Sequence, residues 1–194
     1  MMDKFLYLTE PSWVSSWVDG GPAPLNCAST YRRFERQGVY TPDENLIDNS
    51  NQDVRQFGNL SLVEDAAFTL YGGSINGVPV SGMFKFDRKI EDGVVLCLSN
   101  RRSNYIAKRL GKKACVRIFD INKLKTLLDE QIGISGIMDT CRYTKSHNRN
   151  HFLKSYLDSW QDEYRIFWPN VSSVTIQLPK NIAIQVPIRG QILK

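Results

Sequence analysis

From Val80 onward the chain alternates short apolar runs with turn residues, and no apolar run anywhere exceeds six residues. That pattern is too short-ranged for a membrane-spanning helix, which needs about 20 apolar residues, and it predicts many short strands with a few helices between them. Strands are expected at Met83-Phe84-Lys85-Phe86, Val94–Leu98, Ala114–Phe119, Tyr164–Trp168, Val171–Leu178 and Ile182–Ile188, with Pro169 stopping the fourth. Helices are expected over Asn104–Leu110, with Tyr105, Ile106 and Arg109-Leu110 inward and Gly111 as the stop. A second covers Ile121–Glu130, capped by Asp120, with Leu124, Leu127 and Leu128 on one face. Phe152–Trp160 also has helical spacing. Near the start, Phe5–Leu8 is β-rich, and Pro11–Val18 reads as a short helix capped by Ser12, with Trp13 and Trp17 in the core. Residues 23–60 are rich in turn residues, and Tyr71-Gly72-Gly73-Ser74 and Asn76-Gly77 are turn chemistry between strands. Strands dominate and the helices are short, so the class is α+β.

The chain has 194 residues and 42% hydrophobic side chains, which fits one domain spanning 1–194 with a core of its own. Cys27, Cys97, Cys115 and Cys141 are too far apart for a paired-cysteine metal knuckle. Met1-Met2-Asp3-Lys4-Phe5 lacks the basic patch and apolar stretch of a secretory signal. Reduced thiols, a cytoplasmic location and no membrane partner are the expectations.

The formal charge of +5 conceals an asymmetry. Residues 1–98 hold 8 basic and 13 acidic side chains, a balance of −5, whereas 99–194 hold 17 and 7, a balance of +10. One basic stretch is Arg101, Arg102, Lys108, Arg109, Lys112, Lys113 and Arg117, with no acid from 99 to 119. The other is Arg142, Lys145, Arg149 and Lys154, interleaved with Tyr143, His147, His151, Phe152 and Tyr156. Cations among aromatic rings suit a ligand with phosphates and bases. Arg142, Tyr143, Lys145, His147, Arg149 and His151 are the candidate nucleic-acid contacts. His147 and His151, with Cys141 upstream, fall short of a metal-ligand set. No Ser/His/Asp arrangement and no glycine-rich phosphate loop is present.

The strongest local motif is Gln161-Asp162-Glu163 before the strand Tyr164–Trp168. In an extended segment, residues two apart share a face. A carboxylate there can hold a ribose hydroxyl and stabilise a cationic sugar, while the amide orients a nucleophile. Read structurally, Glu163 is an exposed carboxylate paired with Arg165 or Lys154, and Ser99 is a cap for the helix that follows.

The order of these parts resembles the ADP-ribosyltransferase superfamily. The opening strand carries Tyr7-Leu8-Thr9, and a central strand ends at Ser99 before a helix containing Ala107. The Gln/Glu-x-Glu motif then begins a late strand. The resemblance implies an α+β fold with a split β-sheet core and short helices, and NAD as substrate. It implies Tyr7 and Thr9 on the nicotinamide half of NAD, Ser99 as a buttress, Glu163 as the catalytic glutamate and Gln161 as the acceptor-selecting residue. The first strand has Tyr7 where most of the superfamily has His or Arg, and Ser99 stands without the Ser-Thr-Ser of many toxins. Leu25–Tyr31 through Arg36 is similar to the NAD-loop region of DarT-like enzymes. That likeness implies cofactor contacts from Asn26 and Tyr31 and a catalytic role for Arg36, for which Arg32 and Arg33 also compete. Size and layout also resemble CmdT-type toxins of phage defence. The implied activity is ADP-ribose transfer to nucleic acid, RNA before single-stranded DNA, with an antitoxin or chaperone as partner. Transfer to a protein side chain and a non-catalytic nucleic-acid-binding module are the alternatives.

Overall fold

The computed structural model describes residues 3–34, 66–75, 78–88, 92–145 and 149–188. The fold is α+β, built on a six-stranded antiparallel sheet with a few short helices. In chain order the sheet contains β1 (Lys4–Leu8), β5 (Gly93–Ser99), β6 (Ala114–Ile118), β7 (Ile137–Thr140), β10 (Glu163–Pro169) and β12 (Ala183–Gln185). Their spatial order is β12-β6-β1-β5-β10-β7. Among the described residues, no helix is long and apolar enough to cross a membrane.

The central strands are rich in β-branched and aromatic residues: Val94, Val95 and Val116, with Ile166, Phe167 and Trp168 in β10. Leu6, Leu8, Val94, Leu96, Leu98, Ala114, Val116, Ile118, Ile166 and Trp168 form one buried cluster with Leu124 and Leu128. The latter two come from the helix Ile121–Ile132, whose leucines recur at helical spacing. Asp120 caps that helix by accepting from the Asn122 and Lys123 N–H groups, and Gly133 ends it at φ 86°.

The opposite face is different. Residues directly paired across strands share a face, so Phe5, Ser99 and Glu163 lie together, followed by Cys97 with Arg165 and Val95 with Phe167. This face carries the polar row and only small apolar clusters. One joins Tyr7, Ile106, Ala107, Cys115 and Ile188, and the other Ala28, Val95 and Phe167.

The sheet is not evenly stitched. β1 pairs with β6 from Lys4 opposite Ile118 to Leu8 opposite Ala114, and β5 pairs with β10 from Gly93 to Ser99. Between β1 and β5 the ladder holds at Phe5 opposite Ser99 alone. The two halves, β12-β6-β1 and β5-β10-β7, are therefore joined by a single ladder pair.

Several local expectations are corrected. Phe152–Trp160 is not a helix. It holds β9 (Leu153–Ser155), pairing in parallel with β8 (Arg142–Thr144), and then a 3-10 helix, Tyr156–Gln161. The turn-rich region begins with β2 (Gly21–Leu25), whose Pro22 and Pro24 are exposed on a two-stranded ribbon with β11 (Val174–Leu178), and a helix at Ala28–Phe34. Gly72-Gly73 lies inside β3 (Ala66–Ile75), at an irregularity in its pairing with β4 (Val78–Arg88). Trp17 is buried, but Trp13 is half exposed. In the helix Asn104–Arg109, Ile106 and Ala107 are buried and Tyr105 points outward at 57% exposure.

Gly93 sets the approach of β5 to the far end of β10. A Cβ there would lie 2.2 Å from the Trp168 carbonyl oxygen and 2.9 Å from the Phe167 ring. Gly93→Ala is expected to cost about 1–3 kcal/mol, read as a lower midpoint in urea unfolding; an unchanged midpoint would contradict this packing.

Candidate functional site

The one ladder pair between the half-sheets is also where the sequence motif arrives. Ser99 ends β5, is 2% exposed, and faces Glu163 directly across the ladder. Its hydroxyl lies 3.0 Å from the Gln161 carbonyl oxygen, 3.1 Å from that of Arg101 and 3.2 Å from that of Asp162. A hydroxyl has one proton to donate, so these acceptors share it. The Asn100 N–H donates to the Asp162 carbonyl oxygen (2.8 Å), and its side-chain amide to Asp162 Oδ1 (3.1 Å). Asp162 takes φ 47°, a left-handed conformation that asparagine and aspartate tolerate better than most residues. Ser99 therefore latches a corner, and the cap of the following helix is Ser103 instead.

That corner corrects the reasoning for Gln161 and Glu163. The 3-10 helix ends at Gln161 and the strand begins at Glu163, so the pair does not share an extended segment. A third residue brings them together. Lys154 Nζ donates to Gln161 Oε1 (2.7 Å) and to Glu163 Oε2 (2.9 Å). Arg165 Nε donates to Glu163 Oε1 (2.9 Å), and its Nη1 donates to the His151 carbonyl oxygen (3.0 Å). Glu163 is thus paired with both Lys154 and Arg165, and it is buried rather than exposed. Burial alone would raise its carboxyl pKa, but the charges and hydrogen bonds of Arg165 and Lys154 hold it at about 2. Because an ammonium only donates, Gln161 Oε1 must face Lys154. Its buried Nε2 then has no hydrogen-bond partner among the described residues. The Tyr143 hydroxyl accepts from the Glu163 N–H at 2.9 Å.

Tyr7 is buried, and its hydroxyl accepts the Ser103 N–H (2.6 Å) and donates to the Arg101 carbonyl oxygen (2.9 Å). Burial pushes this phenol up to about 12. Thr9 lies past the end of β1, where its hydroxyl accepts from Lys112 Nζ at 2.9 Å. Burial lowers the Lys112 pKa, with the nearby Cys97 opposing. Cys97 is exposed although Leu96 and Leu98 beside it are buried. It lies on the stretch of β5 beyond its ladder pair with β1, and its thiol is exposed on the polar face. The Asn26 carbonyl oxygen accepts from the Val95 N–H (3.1 Å), and Tyr31 packs on the Ala28, Val95 and Phe167 cluster.

The polar face therefore gathers Ser99, Gln161 and Glu163, with Tyr7, Thr9, Asn26 and Tyr31 along its border. Arg36 and His147 lie outside the described residues. The candidate nucleic-acid stretch divides. Arg142 and Lys145 are exposed and Arg149 is half-buried. His151 is instead buried, stacked on Phe167 with ring centroids 3.7 Å apart, and Tyr143 is half-buried under the corner. Both support the site rather than presenting a ring to solvent. Sequence reasoning missed Cys97, Lys112 and the depth of the Lys154–Glu163–Arg165 cluster. The sequence did offer Arg165 and Lys154 as partners of Glu163, but as alternatives and for an exposed carboxylate.

The depressed Glu163 pKa gives a stability contribution that is present above the ordinary glutamate range and lost as pH falls from about 5 towards 2, on the order of 3 kcal/mol. Acid titration of stability should show this limb, and Glu163→Gln should flatten it while lowering stability at pH 7. An equally steep limb in both proteins would assign it to other carboxylates. Compared with protein-family models, curated proteins and solved structures, the chain matches none.

Proposed function

We propose that the chain is an NAD-dependent ADP-ribosyltransferase of the toxin type, with the fold of that superfamily and with nucleic acid as acceptor, RNA before single-stranded DNA. The observation that carries the reading is the single stitch between two half-sheets at Phe5–Ser99, with Glu163 opposite Ser99 on the same face. A gap between half-sheets, with a carboxylate at its closed end and a cation at its open end, suits a dinucleotide with a diphosphate. Tyr7 and Thr9 would border the nicotinamide half, Asn26 and Tyr31 the remainder, and Lys112 would meet the diphosphate. Arg36 keeps its catalytic role as part of the proposal. An antitoxin or chaperone would be the partner that silences such a toxin in phage defence.

In the reaction, the bond between nicotinamide and ribose breaks, and nicotinamide leaves with the electron pair. The ribose becomes oxocarbenium-like, as in glycoside hydrolysis. A nitrogen or oxygen of the acceptor attacks the anomeric carbon and gives up its proton to water. Glu163, ionised throughout the physiological range, stabilises the cationic sugar through its 2′-hydroxyl. Lys154 has the flexible stem and is the partner that yields to admit the ribose. Gln161 would present its Nε2 to the acceptor.

A second reading has its own support. A carboxylate sealed by two buried cations is also what a purely structural ion cluster looks like. That favours a non-catalytic module that binds nucleic acid through its basic half. Labelled NAD offered to RNA, single-stranded DNA and cell protein separates the readings; label only in protein would replace the nucleic-acid acceptor with a side chain.

Glu163→Gln, checked for retained fold by circular dichroism, is expected to lower nicotinamide release at least 100-fold and to abolish toxicity on expression. Full turnover would refute the assignment. NAD should also slow alkylation of Cys97, the exposed thiol in the gap, in the wild-type protein. Unchanged alkylation with saturating NAD would remove the gap as its binding place.

A further inference from the structure

Away from the gap, the helix Asn104–Arg109 and the 3-10 helix Tyr156–Gln161 expose a second set of aromatics. Tyr105 and Arg109 stand one turn apart, and Arg109 Nη1 donates to the Tyr105 hydroxyl at 2.8 Å. The Arg109 guanidinium carbon lies 4.2 Å from the Trp160 ring centroid. Tyr105 meets Trp160 edge to face, with centroids 6.0 Å apart. Arg109 is exposed and Tyr105 more than half exposed. At the other end of the 3-10 helix, Lys145 Nζ sits 5.5 Å from the centroid of Tyr156, which is 56% exposed and followed by Leu157 at 78%. Two cation–aromatic pairs thus flank the segment that delivers Gln161 to the site.

Large exposed rings have a hydrophobic cost unless something covers them, and here each is accompanied by a cation. The exposed charge on the helix side is basic, and Asp158 of the 3-10 helix is buried. Arg101, Arg102 and Lys108 are exposed nearby, and the sequence has no acid from 99 to 119. Asp162 at the edge is engaged by Arg101 at 3.5 Å. An acidic peptide would be met by charge alone. The rings add flat surfaces, and a partner that carries both phosphates and flat rings uses both features.

We infer that Tyr105, Arg109 and Trp160 form a base-stacking platform for a single-stranded nucleic acid, with Lys145 and Tyr156 holding the next part of the strand. This rests on the nucleic-acid acceptor proposed above and locates the surface that receives it. A base stacks on the exposed side of Tyr105 or on the guanidinium plane of Arg109, which Trp160 holds in place. The neighbouring lysine and arginine side chains take the phosphates. The platform joins the candidate site through Trp160, which directly precedes Gln161 and whose carbonyl oxygen accepts from Arg101 at 3.2 Å.

Binding of fluorescent single-stranded RNA and DNA oligonucleotides to the full chain, without NAD, tests this. Tyr105→Ala and Arg109→Lys are each expected to weaken binding roughly 10-fold or more, with the salt dependence of Tyr105→Ala unchanged. The lysine variant keeps the charge and loses the planar stacking group. Lys108→Gln should instead lower the salt slope, as loss of a phosphate contact does. Wild-type affinity in both platform variants would overturn the inference, as would no binding by the wild-type chain or equal displacement by polyglutamate. If NAD is cleaved while Tyr105→Ala binds normally, the platform fails and the transferase reading stands. If the oligonucleotide binds at the platform while NAD is never cleaved, the transferase reading fails alone.

Discussion

The Glu163 carboxylate sits between Lys154 and Arg165 with both oxygens engaged, at 2.9 Å from each cation. Taking three charges out of water costs several kcal/mol per ion, and their attraction recovers this only with good geometry. The geometry comes from three segments at once. Lys154 belongs to β9, Glu163 and Arg165 to β10, and the His151 carbonyl that takes Arg165 Nη1 to the turn before β9. Remove one partner and the others are stranded. The cluster therefore contributes less net stability than registration. It fixes how residues 149–161 fold across the polar face of the sheet, and His151 stacked on Phe167 holds the same flap by contact of rings.

The two strands beside the unstitched stretch are held by other ties. At the closed end, Lys4 Nζ donates to Asn100 Oδ1 at 2.7 Å and stands over the Tyr164 ring, tying β1 to β5 and β10. The Tyr7 hydroxyl reaches the turn between β5 and the next helix and holds it through Arg101 and Ser103. Past Phe5 and Ser99 no ladder bonds continue between β1 and β5, and the two strands are left to different neighbours. The half-sheets share a hydrophobic layer underneath, through Leu6, Leu8, Leu96 and Leu98. The gap can open on the polar side without exposing that layer.

Much of this was legible in local patterns. The strand expected at Val94–Leu98 is found at Gly93–Ser99, and that at Tyr164–Trp168 at Glu163–Pro169. The helix expected from Ile121 runs to Ile132 behind its Asp120 cap. Each has a strong internal period and clear stop residues, so short-range physics decides it. Phe152–Trp160 has helical spacing as well, yet Lys154 and Arg142 are drawn into long-range pairings that override it. Gln161 and Glu163 do come together, but not by the shared strand face their spacing suggests. Asp162 is left-handed, and the two side chains meet through a lysine seven and nine residues away. No period in the sequence encodes that meeting.

The charge asymmetry also changes meaning once the pairs are known. Some of the surplus cations are committed: Lys154 and Arg165 inside the fold, Lys113 to Glu10 and Arg117 to Asp3 across the sheet. The acidic N-terminal part and the basic C-terminal part thus partly neutralise each other, and the exposed surplus collects around residues 101–109 and 142–145. At physiological salt such charges are screened beyond about 8 Å. They can gather a polyanion at the surface, but they cannot by themselves select a strand with unpaired bases over any other anion. On the proposed reading, selection would fall to groups that act at contact range, which on this surface are the rings of Tyr105, Trp160 and Tyr156 with their attendant cations.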